Sequence, residues 1–423
     1  MQKEQIGTGF HILSKPAGPI CNIDCNYCFY TEKEALFPKK NQFRMSEEVL
    51  ETFIKNYIST QNIPEIQFVW QGGEPTLVGL DYYRKIVSLQ AKYAEGKKII
   101  NSLQTNGIRL NEEWCTFLKE NEFLVGLSLD GPENLHNFYR VDKKGNPTFS
   151  KVLEALKLLK KYKIPFNVLV SVTRESSKEP LEVYHFLKEQ GVEFIQFNPI
   201  VERIPDAMAA KMGLRHATPN ANNEEGQKDL VTDFSVEQGA FGTFLTEIFD
   251  ERVHNDVGSI HVMNFEWALE SWLGLPSTVC IFSEECGNAL AIEHNGDMYS
   301  CDHYVYPDFR LGNVLEQDLK AMVESNTQRS FGENKKSSLP KQCMECEVRF
   351  ACHGECPRHR FMRTHDNEPG LSYLCSDYKH YFHHIHRYMK VMVQLIENGL
   401  PASKVMDVIK APIVVTNHQS TTV

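Results

Sequence analysis

The chain has 423 residues, of which 42% are hydrophobic and 24% are charged. This length and balance predict a globular protein of two or three domains with a substantial core. The formal net charge of -10 argues against nucleic acid or an anionic membrane surface as a partner, because both are themselves negatively charged.

The sequence carries no signal for export or for membrane insertion. No apolar run approaches the length of a spanning helix, and the N-terminal stretch MQKEQIGTGF lacks the apolar segment of a secretory signal. We therefore expect a cytoplasmic protein. Because a reducing cytosol disfavours disulfides, the 12 cysteines indicate metal or redox chemistry.

Apolar, β-rich runs alternate with amphipathic helical patterns over the first 200 residues. The predicted strands cover 10–14, 66–71, 99–104, 124–130, 166–172 and 194–200. The helices between them cover 46–59, 79–94, 111–121, 149–162 and 178–190. This alternation predicts an α/β fold with a parallel sheet, and a partial (β/α)6 TIM-like barrel is the leading architecture. A doubly wound open sheet is the alternative.

The rest of the chain changes character. We assign residues 1–240 to the barrel, with 203–238 as a polar inserted loop, and 241–275 to a helical connector. Residues 276–378 combine short elements with many cysteines and form a predicted second domain. We assign residues 379–423 to a C-terminal helix and a flexible tail. The helical pattern itself covers 377–397, so that it begins at the end of the second domain.

Polar motifs follow the predicted strands where each strand ends. QGGEP follows the second strand, QTNG the third, DGP the fourth and TRE the fifth. The carboxyl ends of parallel strands lie on one face of a βα barrel, where active sites are built. A cysteine-rich loop after the first strand opens onto the same face, so we expect the active site there.

That loop, CNIDCNYC, has C-x3-C-x2-C spacing at Cys21, Cys25 and Cys28. A structural zinc site needs four protein ligands, and no fourth cysteine or histidine lies near these three. Three thiolates suit a four-iron cluster with one iron left open for a substrate or cofactor. Fortuitous or zinc-binding cysteines are the alternative.

The triplet together with GGEP at 72–75 resembles the radical S-adenosylmethionine (SAM) superfamily. The resemblance implies that the open iron chelates the amino and carboxylate groups of SAM. It also implies that the backbone of Gly72 and Gly73 approaches the methionine amino group, which glycine permits because it has no side chain. Alone, GGEP would be an ordinary turn.

Eight further cysteines lie between residues 280 and 375. Eight thiolates suffice for two complete four-iron clusters, with zinc sites as the alternative. Their arrangement resembles SPASM, the auxiliary-cluster region of radical SAM enzymes that modify peptides and proteins. The resemblance implies one cluster on Cys280, Cys286, Cys301 and Cys356 and another on Cys343, Cys346, Cys352 and Cys375.

Further motifs narrow the resemblance, namely QGGEPTL, SLQTNG, FLVGLSLDGP, GNVL, NEPGLSYLCSDY and YFHHIHRYM. With them the chain is similar to anaerobic sulfatase-maturating enzymes from residue 8 to residue 398, most weakly over 203–238. The resemblance implies SAM and three [4Fe-4S] clusters as cofactors. It also implies that a SAM-derived 5'-deoxyadenosyl radical oxidises a cysteine or serine of a sulfatase to Cα-formylglycine.

The same resemblance assigns site residues. Asp302, directly after Cys301, matches the family's proton acceptor and is the candidate catalytic base, with an ordinary turn aspartate as the alternative. An arginine fork suits a carboxylate, so Arg140 is assigned to that of SAM. The full set of candidate SAM contacts is Tyr27, Gly72, Gly73, Glu74, Ser128, Arg140 and Val201.

The implied partners are an unfolded or nascent sulfatase polypeptide with a C/S-x-P/A-x-R motif and a reducing electron donor of flavodoxin or ferredoxin type. The sequence leaves open whether the target is cysteine, serine or both. One alternative function is another radical SAM peptide modifier, such as a thioether-forming maturase, although we expect no room before Cys21 for a leader-recognition domain. The other is a non-catalytic iron-sulfur or zinc scaffold.

The run HYFHHIHRYMK at 380–390 contains four histidines. No partner carboxylate or second cluster accompanies them in the sequence. We therefore interpret the run as a packed or solvated helix and not as a metal site.

Overall fold

A ten-stranded sheet organises the protein. The computed structural model describes residues 9–38, 42–219 and 230–410. The strands of the large sheet are β1 (His11–Ser14), β2 (Glu65–Trp70), β3 (Lys98–Thr105), β4 (Leu124–Ser128), β5 (Phe166–Val172), β6 (Phe194–Pro199), β7 (His261–Val262), β8 (Ala289–Ile292), β9 (Asp297–Tyr299) and β10 (Arg310–Asn313). A separate pair consists of β11 (Met362–Arg363) and β12 (Pro369–Leu371).

Helices connect the strands of the first half and dominate the second. They are α1 (Glu47–Thr60), α2 (Leu80–Tyr93), α3 (Glu112–Glu120), α4 (Glu133–Tyr139), α5 (Phe149–Tyr162), α6 (Pro180–Glu189), α7 (Ala207–Lys211), α8 (Ala240–Asn255), α9 (Met263–Trp272), α10 (Leu319–Val323), α11 (Asn326–Ser337), α12 (Lys341–Met344), α13 (Arg349–Cys352), α14 (Cys375–Glu397) and α15 (Val405–Lys410). No helix in the described ranges is long and apolar enough to cross a membrane.

The sheet runs in the order β10-β9-β8-β1-β2-β3-β4-β5-β6-β7. The pairs from β8 through β7 are parallel, whereas β8–β9 and β9–β10 are antiparallel. The predicted parallel α/β fold is confirmed, and its six predicted strands lie within two residues of β1 to β6.

Helix packing and capping follow from local sequence. The hydroxyl of Ser46 accepts a hydrogen bond from Val49 N at 3.2 Å and so caps α1. The buried face of α1 presents Phe53, whose ring is fully buried beside Phe68 and Trp70. Burying an aromatic side chain of this kind contributes about 1.5–3 kcal/mol.

The cysteine-rich region is joined to the barrel through the sheet. Strand β8 pairs in parallel with β1, so that Ser14 lies opposite Ile292, and β9 and β10 extend the same edge. Residues that follow β1 and β9 are thereby brought together although nearly 300 positions separate them. This junction positions one side of the site described below.

The predicted inserted loop at 203–238 is only partly described, because 220–229 lie outside the described residues. Its described flanks are built into the fold. They include α7, and an isolated bridge joins Arg203 to Val231. The buried carboxylate of Glu32 accepts hydrogen bonds from the backbone N–H groups of Arg215 at 2.6 Å and His216 at 3.1 Å. These contacts hold the flank of the segment against the cysteine loop.

Candidate functional site

A cavity of about 430 Å³ lies at the carboxyl ends of the parallel strands. Its walls include residues from the ends of β3, β4 and β6 and from the loop after β2. Its wall also includes the first cysteine loop and residues of the second cysteine region, among them His303 and Cys356, and the two regions meet where the rings of Phe29 and His303 lie 4.6 Å apart. The predicted site residues on its wall are Cys21, Cys25, Tyr27, Cys28, Gly72, Gly73, Ser128, Arg140, Val201 and Cys356.

The three thiols of the first loop are close enough to interact electrostatically with one another. Burial raises the pKa of the Cys21 thiol to about 12 and that of Cys25 further still. Thiols in such surroundings ionise readily only when a cation compensates the charge, as a bound metal does. Asn106 Nδ2 and Arg140 Nη1 approach the sulfur atoms of Cys21 and Cys25 at 3.7 and 3.9 Å.

The GGEP segment packs its backbone against this loop. Gly73 N donates to Gly18 O at 2.9 Å and Glu74 N donates to Ile20 O at 2.8 Å. A Cβ atom on Gly73 would lie 2.1 Å from Ile20 O, and Gly72 has a φ of +136°. Only glycine fits at both positions. The backbone of these two glycines, which we call the Gly72–Gly73 cradle, lies on the cavity wall.

The sequence analysis assigns Glu74 a direct contact with SAM, but the side chain of Glu74 does not line the cavity. Its buried carboxylate accepts hydrogen bonds from Thr76 N and Oγ1, from Thr105 Oγ1 and from Asn106 N at 2.6–3.0 Å. Glu74 thus ties the loop after β2 to the end of β3 and positions the residues that do line the cavity.

Arg140 is held by Asp130, a residue that the sequence analysis did not single out. Arg140 Nε and Nη2 donate to the two carboxylate oxygens of Asp130 at 2.7 and 3.1 Å. Tyr27 Oη donates to the same carboxylate at 2.6 Å. The guanidinium holds the pKa of the Asp130 carboxyl below its usual range although burial acts to raise it. The fork therefore faces Asp130 and Nη1 lies 3.9 Å from the Cys25 sulfur, and the contact of Arg140 with a ligand carboxylate stays a prediction.

Ser128 and Val201 line the cavity at two different strand ends. The Ser128 hydroxyl accepts a hydrogen bond from Gln104 Nε2 at 3.0 Å, which fixes its orientation at the end of β4. Val201 is 3% exposed and follows β6. Their contacts with SAM remain predictions.

Asp302 lies beside the cavity but does not line it. Its carboxylate pairs with the ammonium of Lys15, which follows β1, and lies close to Gln71 on the cavity wall. Burial acts to raise the pKa of the Asp302 carboxyl, but Lys15, His303 and Gln71 together outweigh it and the pKa is lowered. Lys15 also lies over the ring of Tyr30, 4.2 Å from its centroid. Asp302 therefore carries a charged carboxylate behind the cavity wall, next to Gln71.

The structure separates the eight cysteines between residues 280 and 375 into two groups. The thiol of Cys301 interacts electrostatically with Cys280 and Cys356, and that of Cys286 interacts with Cys280. We call Cys280, Cys286, Cys301 and Cys356 the first auxiliary group. The partition that the SPASM resemblance implies has the same four members.

The second auxiliary group is Cys343, Cys346, Cys352 and Cys375. These four cysteines line a separate cavity of about 230 Å³. All cysteines in the described ranges are free thiols. No three Cys, His, Asp or Glu side chains among the described residues converge on the position of a single metal ion. Four thiols around one cavity match the ligand set of a four-iron cluster.

Several cavity residues were not predicted individually. Asn106 belongs to the QTNG motif, and Asn198 lies at the end of β6. Their position at strand ends is the sequence feature that could have identified them as cavity residues. Arg358 had no such signal. Its side chain pairs with Glu202 and lies over the Phe29 ring, 4.7 Å from its centroid, and all three residues line the cavity.

The histidines of α14 have protein partners. His383 contacts Glu347 at 2.9 Å, His384 contacts Asp250 at 2.7 Å and His386 contacts Trp272 at 3.2 Å. These contacts agree with the interpretation of a packed helix.

Comparisons with known proteins cover both halves of the site. The radical SAM superfamily profile matches residues 16–187, and SPASM, an iron-sulfur cluster-binding domain, matches residues 280–347. A serine-type anaerobic sulfatase-maturating enzyme of Bacteroides thetaiotaomicron is 44% identical over 95% of this chain and 95% of its own. A cysteine-type anaerobic sulfatase-maturating enzyme of Clostridium perfringens is 34% identical over 88% of this chain and 95% of its own.

Solved structures give the same result. A structure described as native anSMEcpe with bound AdoMet and Cp18Cys peptide has a TM-score of 0.79 and 33% identity, covering 92% of this chain and 100% of that one. Streptococcus suis SuiB bound to S-adenosylmethionine has a TM-score of 0.56 at 13% identity, which indicates a shared fold alone. The matches to the sulfatase-maturating proteins cover 88–95% of this chain. The chain therefore belongs to the family of anaerobic sulfatase-maturating enzymes.

Proposed function

We propose that this protein oxidises the active-site serine or cysteine of a sulfatase polypeptide to Cα-formylglycine, using SAM and three [4Fe-4S] clusters. The observation that carries the proposal is the 430 Å³ cavity, whose wall includes both the open three-cysteine loop and Cys356 of the second cysteine region. A reaction that needs both an open cluster and an electron outlet requires these two groups of residues around one space.

The residues of this chain fit those cofactors. Cys21, Cys25 and Cys28 would hold the open cluster, and a bound cluster would supply the cation that the thiols of Cys21 and Cys25, whose pKa values burial raises, need in order to ionise. SAM would lie against the Gly72–Gly73 cradle, near Ser128 and Arg140. When bound, these groups supply the one-electron chemistry that removes a Cβ hydrogen from the target residue.

Asp302 is the proposed proton acceptor. Conversion of a serine to the aldehyde removes one hydrogen atom from Cβ, one proton from the hydroxyl and one electron. The Lys15 ammonium keeps the Asp302 carboxylate ionised and therefore able to accept that proton. Since Gln71 lies between Asp302 and the cavity, we expect a small movement of Gln71 when the target enters.

The proposed substrate is an unfolded or nascent polypeptide with a C/S-x-P/A-x-R motif, entering between the first cysteine loop and the second cysteine region. Arg358 and Glu202 offer a donor and an acceptor on this part of the cavity wall, suited to an extended backbone. A reducing protein of flavodoxin or ferredoxin type is the proposed electron donor.

Serine is the favoured target. Relatives with serine-type names are 37–44% identical to this chain, whereas relatives with cysteine-type names are 31–34% identical. A serine hydroxyl also releases its proton less readily than a thiol, so that it depends more strongly on a base such as Asp302.

The deciding experiment is anaerobic incubation of the reduced, iron-loaded protein with SAM and matched peptides of S-x-P/A-x-R and C-x-P-x-R sequence. We expect an aldehyde on the serine peptide, trapped by a hydrazine probe. Aldehyde on the cysteine peptide alone would reverse the preference. SAM cleavage with no aldehyde on either peptide would favour a different peptide modification, and absence of SAM cleavage would refute the proposal.

A further inference from the structure

Tyr378 lies in the wall between the two cavities and lines both of them. The side chain is 1% exposed, and its hydroxyl has no hydrogen-bond partner among the described residues. Buried polar groups are almost always hydrogen-bonded in native proteins. An acceptor outside the polypeptide is therefore expected at this hydroxyl.

The ring of Tyr378 is fixed by its neighbours. Phe282 packs edge-on with ring centroids 5.3 Å apart, and Phe382 stacks at 5.9 Å. Phe241 closes a third side at 6.0 Å. A ring enclosed on three sides cannot swing its hydroxyl toward a different partner without displacing this aromatic cluster.

Among charged groups, Glu355 has the largest electrostatic effect on the Tyr378 hydroxyl, but its two carboxylate oxygens have other partners. One contacts His359 Nδ1 at 2.9 Å and the other accepts from Ser372 Oγ at 3.0 Å. The Tyr378 hydroxyl is also within electrostatic range of the Cys352 thiol, a member of the second auxiliary group. Tyr378 follows Cys375, another member, by three positions on α14, a spacing that places both on one face of the helix.

We propose that the Tyr378 hydroxyl donates a hydrogen bond to a sulfur atom of the iron-sulfur cluster held by the second auxiliary group, and thereby raises its reduction potential. Hydrogen bonds to the sulfur atoms stabilise the reduced, more negative cluster and are a principal means of tuning its potential. This inference rests on the cofactors of the proposed function. It adds a tuning residue in the wall between the two cavities, and the raised potential favours electron arrival at the cluster of the second auxiliary group.

The test compares Tyr378→Phe with Tyr381→Phe in the full-length, iron-loaded protein. Tyr381 is a matched control because it lies one turn further along α14, is fully buried and donates instead to Asn264 O at 3.0 Å. Redox titration followed by electron paramagnetic resonance reports each cluster, and added SAM identifies the signal of the open cluster. We expect one SAM-insensitive signal to shift to a more negative potential in Tyr378→Phe and no shift in Tyr381→Phe.

The other outcomes are separable. Unchanged potentials in a Tyr378→Phe protein with about twelve irons per chain would overturn the inference and leave the proposed function standing. A wild-type content well below about twelve irons would overturn both. If the variant fails to load its clusters, the reduced wild-type protein must still show an exchangeable proton coupled to a SAM-insensitive cluster. Absence of that coupling would exclude the hydrogen bond.

Discussion

The first cysteine loop and the two auxiliary groups differ in the number of thiols that they offer to a cluster. The loop offers three thiols at the edge of a cavity whose remaining wall carries polar side chains such as Asn106, Ser128 and Arg140. The second auxiliary group surrounds a smaller cavity with four cysteines. A site becomes open to a ligand where the chain omits one thiol and supplies polar groups from neighbouring strand ends instead.

The two kinds of site also differ in what holds them. The first loop is tied to the barrel by the backbone of GGEP and by the network around Glu74. The auxiliary groups lie among short elements, and the ligand Cys375 begins α14 two residues before Asp377, which accepts from Gly239 N and Gly242 N of α8 at 2.9 Å. The first turn of α14 thus contains both a predicted cluster ligand, Cys375, and a residue that fixes the helix against its neighbour, Asp377.

The largest effect is expected when the open site alone is removed. Replacing Cys21, Cys25 and Cys28 by alanine should abolish SAM cleavage and leave about eight irons per chain, those of two closed four-iron clusters. Iron analysis and detection of cleaved SAM measure the two quantities. The matched variant is Cys115→Ala, a buried cysteine outside all three groups, which should keep about twelve irons. SAM cleavage in the triple variant would contradict the assignment of the open site.

Asp302→Asn should separate the chemistry at the cavity from cofactor binding. The amide cannot accept the target proton, so aldehyde formation should fall by about 10²–10⁴-fold while SAM cleavage persists. Single-turnover product analysis under reduction measures the ratio. Asp308→Asn, an exposed aspartate in the same segment, serves as control and should leave both rates unchanged. Aldehyde formation at the wild-type rate in Asp302→Asn would remove Asp302 from the role of base.

Lys15→Met should produce a smaller loss with a distinct pH signature. In the wild type the Lys15 ammonium lowers the pKa of the Asp302 carboxyl, so the carboxylate stays ionised as the pH falls toward the ordinary aspartate range. Without the ammonium that pKa rises, and the acid limb of kcat/KM for the peptide should move to higher pH. Each 1.4 kcal/mol of lost charge stabilisation should move that limb by about one pH unit, so the loss of rate grows as the pH falls.

Lys15→Arg keeps the charge and provides the control for that profile. Its acid limb should remain near that of the wild type even if the rate falls. Superimposed pH profiles for Lys15→Met and the wild type would show that Lys15 does not act through Asp302.

The sequence predicted the repeating part of the fold well. Strands β1 to β6 and their helices have strong apolar periodicity, and the pairing of parallel strands follows from their order along the chain. The partition of the eight later cysteines came from a family resemblance, and the structure groups the same residues. Spacing alone could not have given it, because Cys356 joins cysteines that precede it by more than 50 residues.

Contacts that depend on the sheet junction were beyond sequence reasoning. Lys15 meets Asp302 only because β8 pairs with β1 and β9 follows it, and these short strands have too few residues to show a clear period. The pairing of Arg358 with Glu202 on the cavity wall was not predicted either, because 156 positions separate the two residues. Glu74 shows the opposite case, since its motif identified an important residue whose role is to fix two loops.

Ser128→Ala is expected to give the smallest effect and to probe the polar wall that distinguishes the open site. The substitution removes the acceptor of Gln104 Nε2 and the predicted contact with SAM. Loss of one hydrogen bond costs about 1 kcal/mol, so the Kd for SAM should rise about fivefold with little change in kcat. Equilibrium binding of SAM to the iron-loaded protein measures the change.

Ser102→Ala is the control, because the Ser102 hydroxyl donates to Phe68 O on the neighbouring strand and does not line the cavity. Equal affinities for SAM in the two variants would show that the open site binds its cofactor without help from the end of β4.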